Sequence, residues 1–355
     1  MLKSNSIGYA IYPSNFEKLK DELSLILDQE SFIFTSLHIQ EEMNQPEYGA
    51  QVQNMLSYLQ QNDIEIIADI SLRTLDYFKV DSIEKLVNKL NLNAVRLDFG
   101  FSLDNIIEAS KHVMIIINAS MFDYYLLEKL KDSKYPVIAM HNFYPREHTG
   151  LDESQFIEKN DILRKYNIKI AAFIAGDKIK RGPIFAGLPT LEHQRNMLPY
   201  ASYLQCKKKY DIDYVFVGDG VISLKEKHKI DIFNQENIIL LRTSLSKQFN
   251  LINKVFTIRD DSPKDVLRLF ESRTMATQGE LIEPYNCIKR DIGSVCMDNR
   301  NYMRYSGEVQ LLRKMLPQDH RVNVVGHIHE DDFDVLDVIK NNDKIKLVKD
   351  NDDED

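Results

Sequence analysis

Eight short apolar runs, spaced almost evenly over the first two thirds of the chain, constrain the fold more than any other feature. They read I-G-Y-A-I-Y (7–12), F-I-F-T-S-L (32–37), I-E-I-I-A-D-I (64–70) and A-V-R-L-D-F (94–99), then V-M-I-I-I-N-A (113–119), P-V-I-A-M-H-N (136–142), I-K-I-A-A-F-I-A (168–175) and D-Y-V-F-V-G-D (213–219). Nearly continuous apolar strands of this kind belong to parallel sheets covered on both faces. A polar turn and a helical pattern follow each run. Phe16, Leu19, Leu23 and Ile26 recur at helical spacing, and Ile83, Leu86, Val87 and Leu90 form a second apolar face. Asp81 with Glu84, and Ser120 with Asp123, are expected to form capping boxes. Eight βα units in about 235 residues predict an α/β chain with a (β/α)8 TIM barrel over 1–235, in preference to a doubly wound open sheet.

Beyond Gln235 the rhythm changes. Strand-like runs lie at Ile238–Leu241, Val255–Ile258, Ile292–Met297, Val309–Leu312 and Val322–Ile328, with helices expected over Pro263–Arg273 and Asp332–Lys340. This predicts a small, mostly-β second domain over 236–350, ending in a solvated acidic tail at 351–355. With 43% hydrophobic residues the 355-residue chain can bury a sizeable core, and its net charge of −9 argues against a duplex nucleic-acid binder. The three cysteines, Cys206, Cys287 and Cys296, have neither zinc-site nor disulfide-framework spacing. No signal peptide or membrane-length run is visible, so a cytoplasmic setting is expected.

In a TIM barrel the chemistry sits at the C-terminal ends of the strands. Those ends carry Tyr12, Ser36 with His38, Asp69 with Ser71, Asp98, Asn118 with Ser120, His141 with Asn142, Asp177 and Asp219. Any one of them has a bland reading as a helix cap or turn residue, but their convergence on one rim points to an active site. Asp69 and Asp98 end adjacent strands about 4.8 Å apart, so their carboxyl groups are expected to face each other across roughly 5 to 7 Å. Such a pair suits glycoside hydrolysis; it also fits binding of a sugar hydroxyl or a divalent cation.

The loop G-D-K-I-K-R-G-P-I-F-A-G-L-P-T-L-E-H-Q-R (176–195) holds Lys178, Lys180, Arg181 and Arg195, with Thr190 placed as an N-cap. Loops after strands seven and eight commonly bind phosphate in these barrels, which makes a phosphorylated small molecule plausible; the alternative is a solvent-facing loop shaped by glycine and proline. His141, His148 and His193 lack metal-site spacing, so no metal or cofactor is expected, and hydrogen bonding to substrate is the preferred use. In N-R-N-Y-M-R-Y-S-G-E (299–308), Arg304 fits a phosphate or carboxylate contact, while Tyr302 and Tyr305 fit either the same patch or domain packing.

The motifs A-D-I-S (68–71), R-L-D-F-G (96–100), N-A-S (118–120), H-N-F-Y-P-R-E-H-T-G-L (141–151), R-G-P-I-F-A-G-L-P-T-L-E-H-Q-R (181–195) and R-V-N-V-V-G (321–326) converge, with weaker support from L-R-T-S (241–244) and S-R-T-M (272–275). Together they resemble the bacterial 6-phospho-N-acetylmuramidases over nearly the whole chain. The resemblance implies a barrel followed by a cyclophilin-like β domain. It also implies hydrolysis of the β-1,4 bond of N-acetylmuramic acid 6-phosphate–N-acetylglucosamine, a disaccharide of cell-wall turnover. On this reading Asp69 and Asp98 are the expected carboxylates, with Asp219 and Glu192 in reserve. Arg181, Arg195, Arg146 or Arg304 would meet the 6-phosphate or the lactyl carboxylate, and Asn118, His141, Asn142, Tyr144 and Tyr305 complete the expected sugar contacts. The competing class is a non-catalytic phosphosugar-binding regulator. A phosphosugar aldolase or isomerase is disfavoured because no predicted strand ends in lysine. Oligomeric state stays open.

Overall fold

The computed structural model describes residues 6–28, 30–97, 100–277 and 281–349. Two compact units divide the chain, Met1–Lys227 and His228–Asp355.

The first unit is a closed, all-parallel barrel of eight strands in sequential order. They are β1 (Ile7–Ala10), β2 (Phe32–Ser36), β3 (Glu65–Ile70), β4 (Ala94–Leu97), β5 (Ile115–Asn118), β6 (Val137–Met140), β7 (Lys169–Ile174) and β8 (Tyr214–Val217). Pairing of Ile7, Gly8 and Tyr9 with Val215, Phe216 and Val217 closes the ring, and helices alternate with the strands. The eight apolar runs are thus the eight staves of a TIM barrel.

Side chains alternate between the barrel interior and the helix layer, and the interior is filled as a packed core. Phe32, Phe34, Ile67, Ala94, Ile116, Ile138, Met140, Ala171, Phe173, Tyr214 and Phe216 meet inside, together with Ala10 and Tyr12. The aromatic rings pack edge to face: Phe32 and Phe216 lie 4.9 Å apart, Phe34 and Phe173 5.4 Å. Gly8 makes room for this, since a Cβ there would stand 2.3 Å from the Phe32 ring and 2.6 Å from the Phe216 ring. The same alternation decides what reaches the mouth. Two residues beyond Ile67 and Ala94 come Asp69 and Arg96, and two beyond Ile116 and Met140 come Asn118 and Asn142.

Helix starts differ in detail from the sequence expectation. Ser82, not Asp81, caps the helix Ile83–Leu90 by accepting from Lys85 N–H at 3.2 Å, while Asp81 pairs with the Lys85 ammonium at 2.8 Å. Asp123 is itself the cap of Tyr124–Leu130, accepting from Leu126 N–H at 3.0 Å, and Ser120 belongs to the turn before it. In both cases the cap is the polar residue directly before the first helical one, as the geometry of the orphan N–H groups requires.

The second unit is a seven-stranded, mostly antiparallel sheet. Its strands are β9 (Ile238–Leu245), β10 (Val255–Thr257), β11 (Val266–Arg268), β12 (Ser294–Asp298), β13 (Val309–Leu312), β14 (Val322–Ile328) and β15 (Lys344–Lys349), in the order β10-β15-β9-β14-β12-β13-β11. Two expectations need correction. The segment 263–273 is not one helix: Val266, Leu267 and Arg268 pair with Leu312, Leu311 and Gln310, and the helix is only Ser272–Thr277. The edge of β13 offers these residues backbone partners, and Leu267 is buried against the sheet. The segment K-I-K-L-V-K (344–349), outside the strand-like runs expected from the sequence, is also a strand: it alternates with period two, buries Ile345 and Leu347 and runs parallel to β9. Among the described residues no helix is long and apolar enough to cross a membrane.

Candidate active site

The mouth of the barrel is organised around a buried ion pair. Asp69 (5% exposed) and Arg96 (4%) end neighbouring strands, with Arg96 Nη1 3.6 Å from Asp69 Oδ2. Arg96 Nη2 also donates to Asn142 Oδ1, just beyond β6, so one guanidinium links β3 to the segment after β6. His38 Nδ1 lies 3.6 Å from the same Asp69 oxygen and 3.4 Å from Ser36 Oγ. Charged side chains are seldom buried unless paired, and breaking such a pair is costly, so this constellation is fixed in place.

Tyr12, on the inner face beyond β1, lies beside this pair, and the charge of Asp69 bears on it. Its hydroxyl is buried without a hydrogen-bond partner among the described residues, and burial pushes its pKa up to about 12, which keeps it a neutral phenol. The Arg181 guanidinium carbon lies 3.3 Å from the centre of its ring, a close cation–π contact. Arg181 side-chain nitrogens make no hydrogen bond to a described residue, so its donors are available to an anion.

Two buried charges build the loop that presents Arg181. Asp219 accepts from the backbone N–H groups of Gly176 (2.9 Å), Arg181 (2.9 Å) and Leu188 (3.2 Å). Its carboxylate is therefore engaged as a loop anchor, which argues against the reserve catalytic role. Arg195 (3% exposed) donates to the carbonyls of Tyr144 (2.9 Å), Gly187 (2.9 Å) and Arg146 (3.1 Å), and bidentately to Glu192 at 2.7 Å twice. Glu192 also accepts from His148 N–H at 2.9 Å and Gly150 N–H at 2.7 Å. The Arg195 bond foremost, and these N–H groups after it, hold the Glu192 carboxyl down at about 2. Gly150 is needed here because a Cβ would stand 2.8 Å from the Glu192 backbone nitrogen. Arg195 and Glu192 thus tie the loop after β6 to the loop after β7 and have no donor or acceptor left over for phosphate. Thr190 caps no helix: its hydroxyl donates to Asn142 O and accepts from Phe173 N–H, both at 3.0 Å.

His141 also departs from expectation. It is fully buried on the outward face, with Nε2 2.7 Å from Asn160 Oδ1 and its ring 4.6 Å from that of Phe156, both on the helix Glu153–Lys165. Burial lowers its basicity to about 4, so it is a neutral core histidine. The physical reason is parity: Met140 faces inward, hence Asn142 does and His141 does not. Asn118 closes a turn, accepting from Ser120 and Met121 N–H at 2.8 and 3.3 Å. Tyr144 is half-buried and Arg146 exposed on the loop that Arg195 clamps. Asp98 lies outside the described residues. Arg304 and Tyr305 belong to the second unit, where Arg304 Nη2 donates to Tyr305 Oη at 2.8 Å and Arg273 also lies over that ring at 4.8 Å. Arg96 was missed by sequence reasoning, although an arginine inside a buried strand is itself the signal.

Comparison with known proteins bears directly on this architecture. Residues 7–231 match the N-terminal, and residues 238–348 the C-terminal, sequence profile of the 6-phospho-N-acetylmuramidases. The chain belongs to the 6-phospho-N-acetylmuramidase family. That family name designates a glycosidase acting on a phosphorylated amino sugar. The chain is similar to the crystal structure of a conserved Enterococcus faecalis protein of unknown function, with 30% identity, 97% of this chain and 96% of that one covered, and a TM-score of 0.81. It is similar in fold to an uncharacterized B. cereus protein at 24% identity, covering 97% and 99% of the two chains with a TM-score of 0.78. No curated protein matches the chain.

Proposed function

We propose that this glycosidase cleaves the β-1,4 bond of N-acetylmuramic acid 6-phosphate–N-acetylglucosamine, releasing the two sugars in the turnover of cell-wall material. The observation that carries the reading is the buried Asp69–Arg96 pair at the mouth of a barrel matched to this family over nearly its whole length. Hydrolysis of a glycoside needs a carboxylate beside the anomeric centre, where positive charge develops in the transition state. Asp69, held between Arg96 and His38, supplies that negative charge on a rigid strand rather than on a loop. Arg181, spread over Tyr12 with its donors unengaged, is the group offered to the 6-phosphate, and its planar fork suits bidentate phosphate contact. Asn142, oriented by Arg96, is placed for a sugar hydroxyl.

The test is turnover of the disaccharide with and without its 6-phosphate by the wild-type chain and by Asp69→Asn, an isostere that leaves the packing in place. The expected results are a clear preference for the phosphorylated substrate and a loss of about 10²–10⁴ in kcat for the variant. Full activity of Asp69→Asn removes this carboxylate from the mechanism. Tight binding of N-acetylmuramic acid 6-phosphate with no turnover of either disaccharide establishes a phosphosugar-binding regulator instead.

A further inference from the structure

A second carboxylate stands at the barrel mouth in a place that strand-end reading does not reach. Glu42 lies in the short helix Gln40–Met43 directly after β2. Its Oε1 accepts from Ser14 Oγ, in the loop after β1, at 2.6 Å. Its Oε2 is shielded from solvent and has no hydrogen-bond partner. Beside it are two phenols in the same condition: Tyr12 and Tyr48 are 1% and 0% exposed, and each hydroxyl is buried and unpartnered. Glu42 is near enough to act electrostatically on both phenols, and Asp69 on Tyr12 as well, so Tyr12 lies within reach of both carboxylates. Buried polar atoms ordinarily have partners, so these three near the barrel mouth suit a place built to meet a polar group.

The two carboxylates differ in surroundings. Asp69 has a guanidinium and an imidazole at 3.6 Å. Glu42 accepts from the Ser14 hydroxyl, its second oxygen is shielded from solvent, and no ion pair joins it to a described residue. Acid and base roles in glycosidases are divided by surroundings, the carboxylate beside fixed positive charge serving as the anion and the one shielded from water with no cation beside it serving as the acid. We infer that Glu42 is the proton donor to the leaving sugar, working with Asp69, on the strength of its shielded oxygen beside Tyr12 at the barrel mouth. This rests on the glycosidase reading above. In the step, the proton on Glu42 passes to the glycosidic oxygen as the C1–O bond breaks, and the bond's electron pair stays with that oxygen as the 4-hydroxyl of N-acetylglucosamine. Water then adds through its oxygen to C1, and the proton it releases restores the starting protonation of the carboxylates.

The decisive comparison uses Glu42→Gln and the wild-type chain on two substrates. One is the phosphorylated disaccharide; the other is a nitrophenyl β-glycoside of N-acetylmuramic acid 6-phosphate, whose leaving group departs without protonation. A proton-donor role predicts a loss of about 10²–10⁴ in kcat on the disaccharide and less than about tenfold on the nitrophenyl glycoside, which also reports that the variant is folded. Equal losses on both substrates, or no loss on the disaccharide, overturn the assignment while leaving the glycosidase reading intact. Failure of the wild-type chain on both substrates overturns the two together.

Discussion

Replacing Arg195 by Met keeps the length and apolar stem of the side chain and removes its charge and all of its donors. In the native chain those donors meet the carbonyls of Tyr144, Arg146 and Gly187, and both oxygens of Glu192. Removing one partner from a buried ion pair costs about 3–5 kcal/mol. The Glu192 side chain is 28% exposed, so water relieves part of its loss and the lower end applies, about 3 kcal/mol. For a unit of this size each kcal/mol shifts the melting temperature by about 2–4 °C, giving a fall of about 6–12 °C near neutral pH. The acid limb supplies a second reading. Glu192 is held at about 2, below its ordinary value of 4.5, so its contribution to stability is present above pH 4.5 and is lost as pH falls toward 2. Most of that contribution comes through Arg195, so the gap between wild type and Arg195→Met narrows on acidification through this window. Differential scanning calorimetry of the full chain at neutral pH and within the acid window, near pH ~3, measures both effects. A melting shift below about 2 °C, or a gap that does not change with pH, refutes the clamp.

Two further outcomes follow from the buried carboxylates. Asp219→Ala leaves three backbone N–H groups without their acceptor, and limited proteolysis within 176–188 is expected to speed up by about tenfold or more, the local opening having become cheaper by at least about 1.4 kcal/mol; an unchanged cleavage rate contradicts the anchoring role. In the second unit, burial first and the nearby Glu308 next push Asp298 up to about 7. An acid raised in the folded state favours folding at low pH and weakens it as pH rises through that value, so Asp298→Asn is expected to stabilise the chain by roughly 1–3 kcal/mol in mildly alkaline buffer and by little under acid conditions. Denaturant midpoints at the two pH values decide it, and equal effects at both discount the shift.

The barrel was legible because eight apolar runs must each be covered on both faces, and few architectures other than a closed ring with alternating helices provide for that many. The second unit was less so. Val266 to Leu269 fits a helix or a strand by composition, and only the free edge of β13 makes it a strand. Within the site, alternation along the strand carried more information than the identity of the residues at its end: it separates inward Asn142 from outward His141. Arg195 illustrates the opposite limit. Its basic character suggested phosphate, but its partners are carbonyls from segments far apart in sequence, which no local pattern encodes. Glu42 lies in a helix of its own between β2 and the next long helix, so a search confined to strand ends passes over it.

The anchoring of Arg181 by Asp219 has a consequence for how such barrels diversify. The carboxylate that shapes the loop after β7 sits beyond β8, outside the segment whose course it dictates. Grafting residues 176–195 onto another eight-stranded scaffold would therefore transfer the guanidinium but not its placement. Inheritance of this anion-presenting loop requires two neighbouring staves to change together, and a recombination point between β7 and β8 would separate the cation from the residue that positions it.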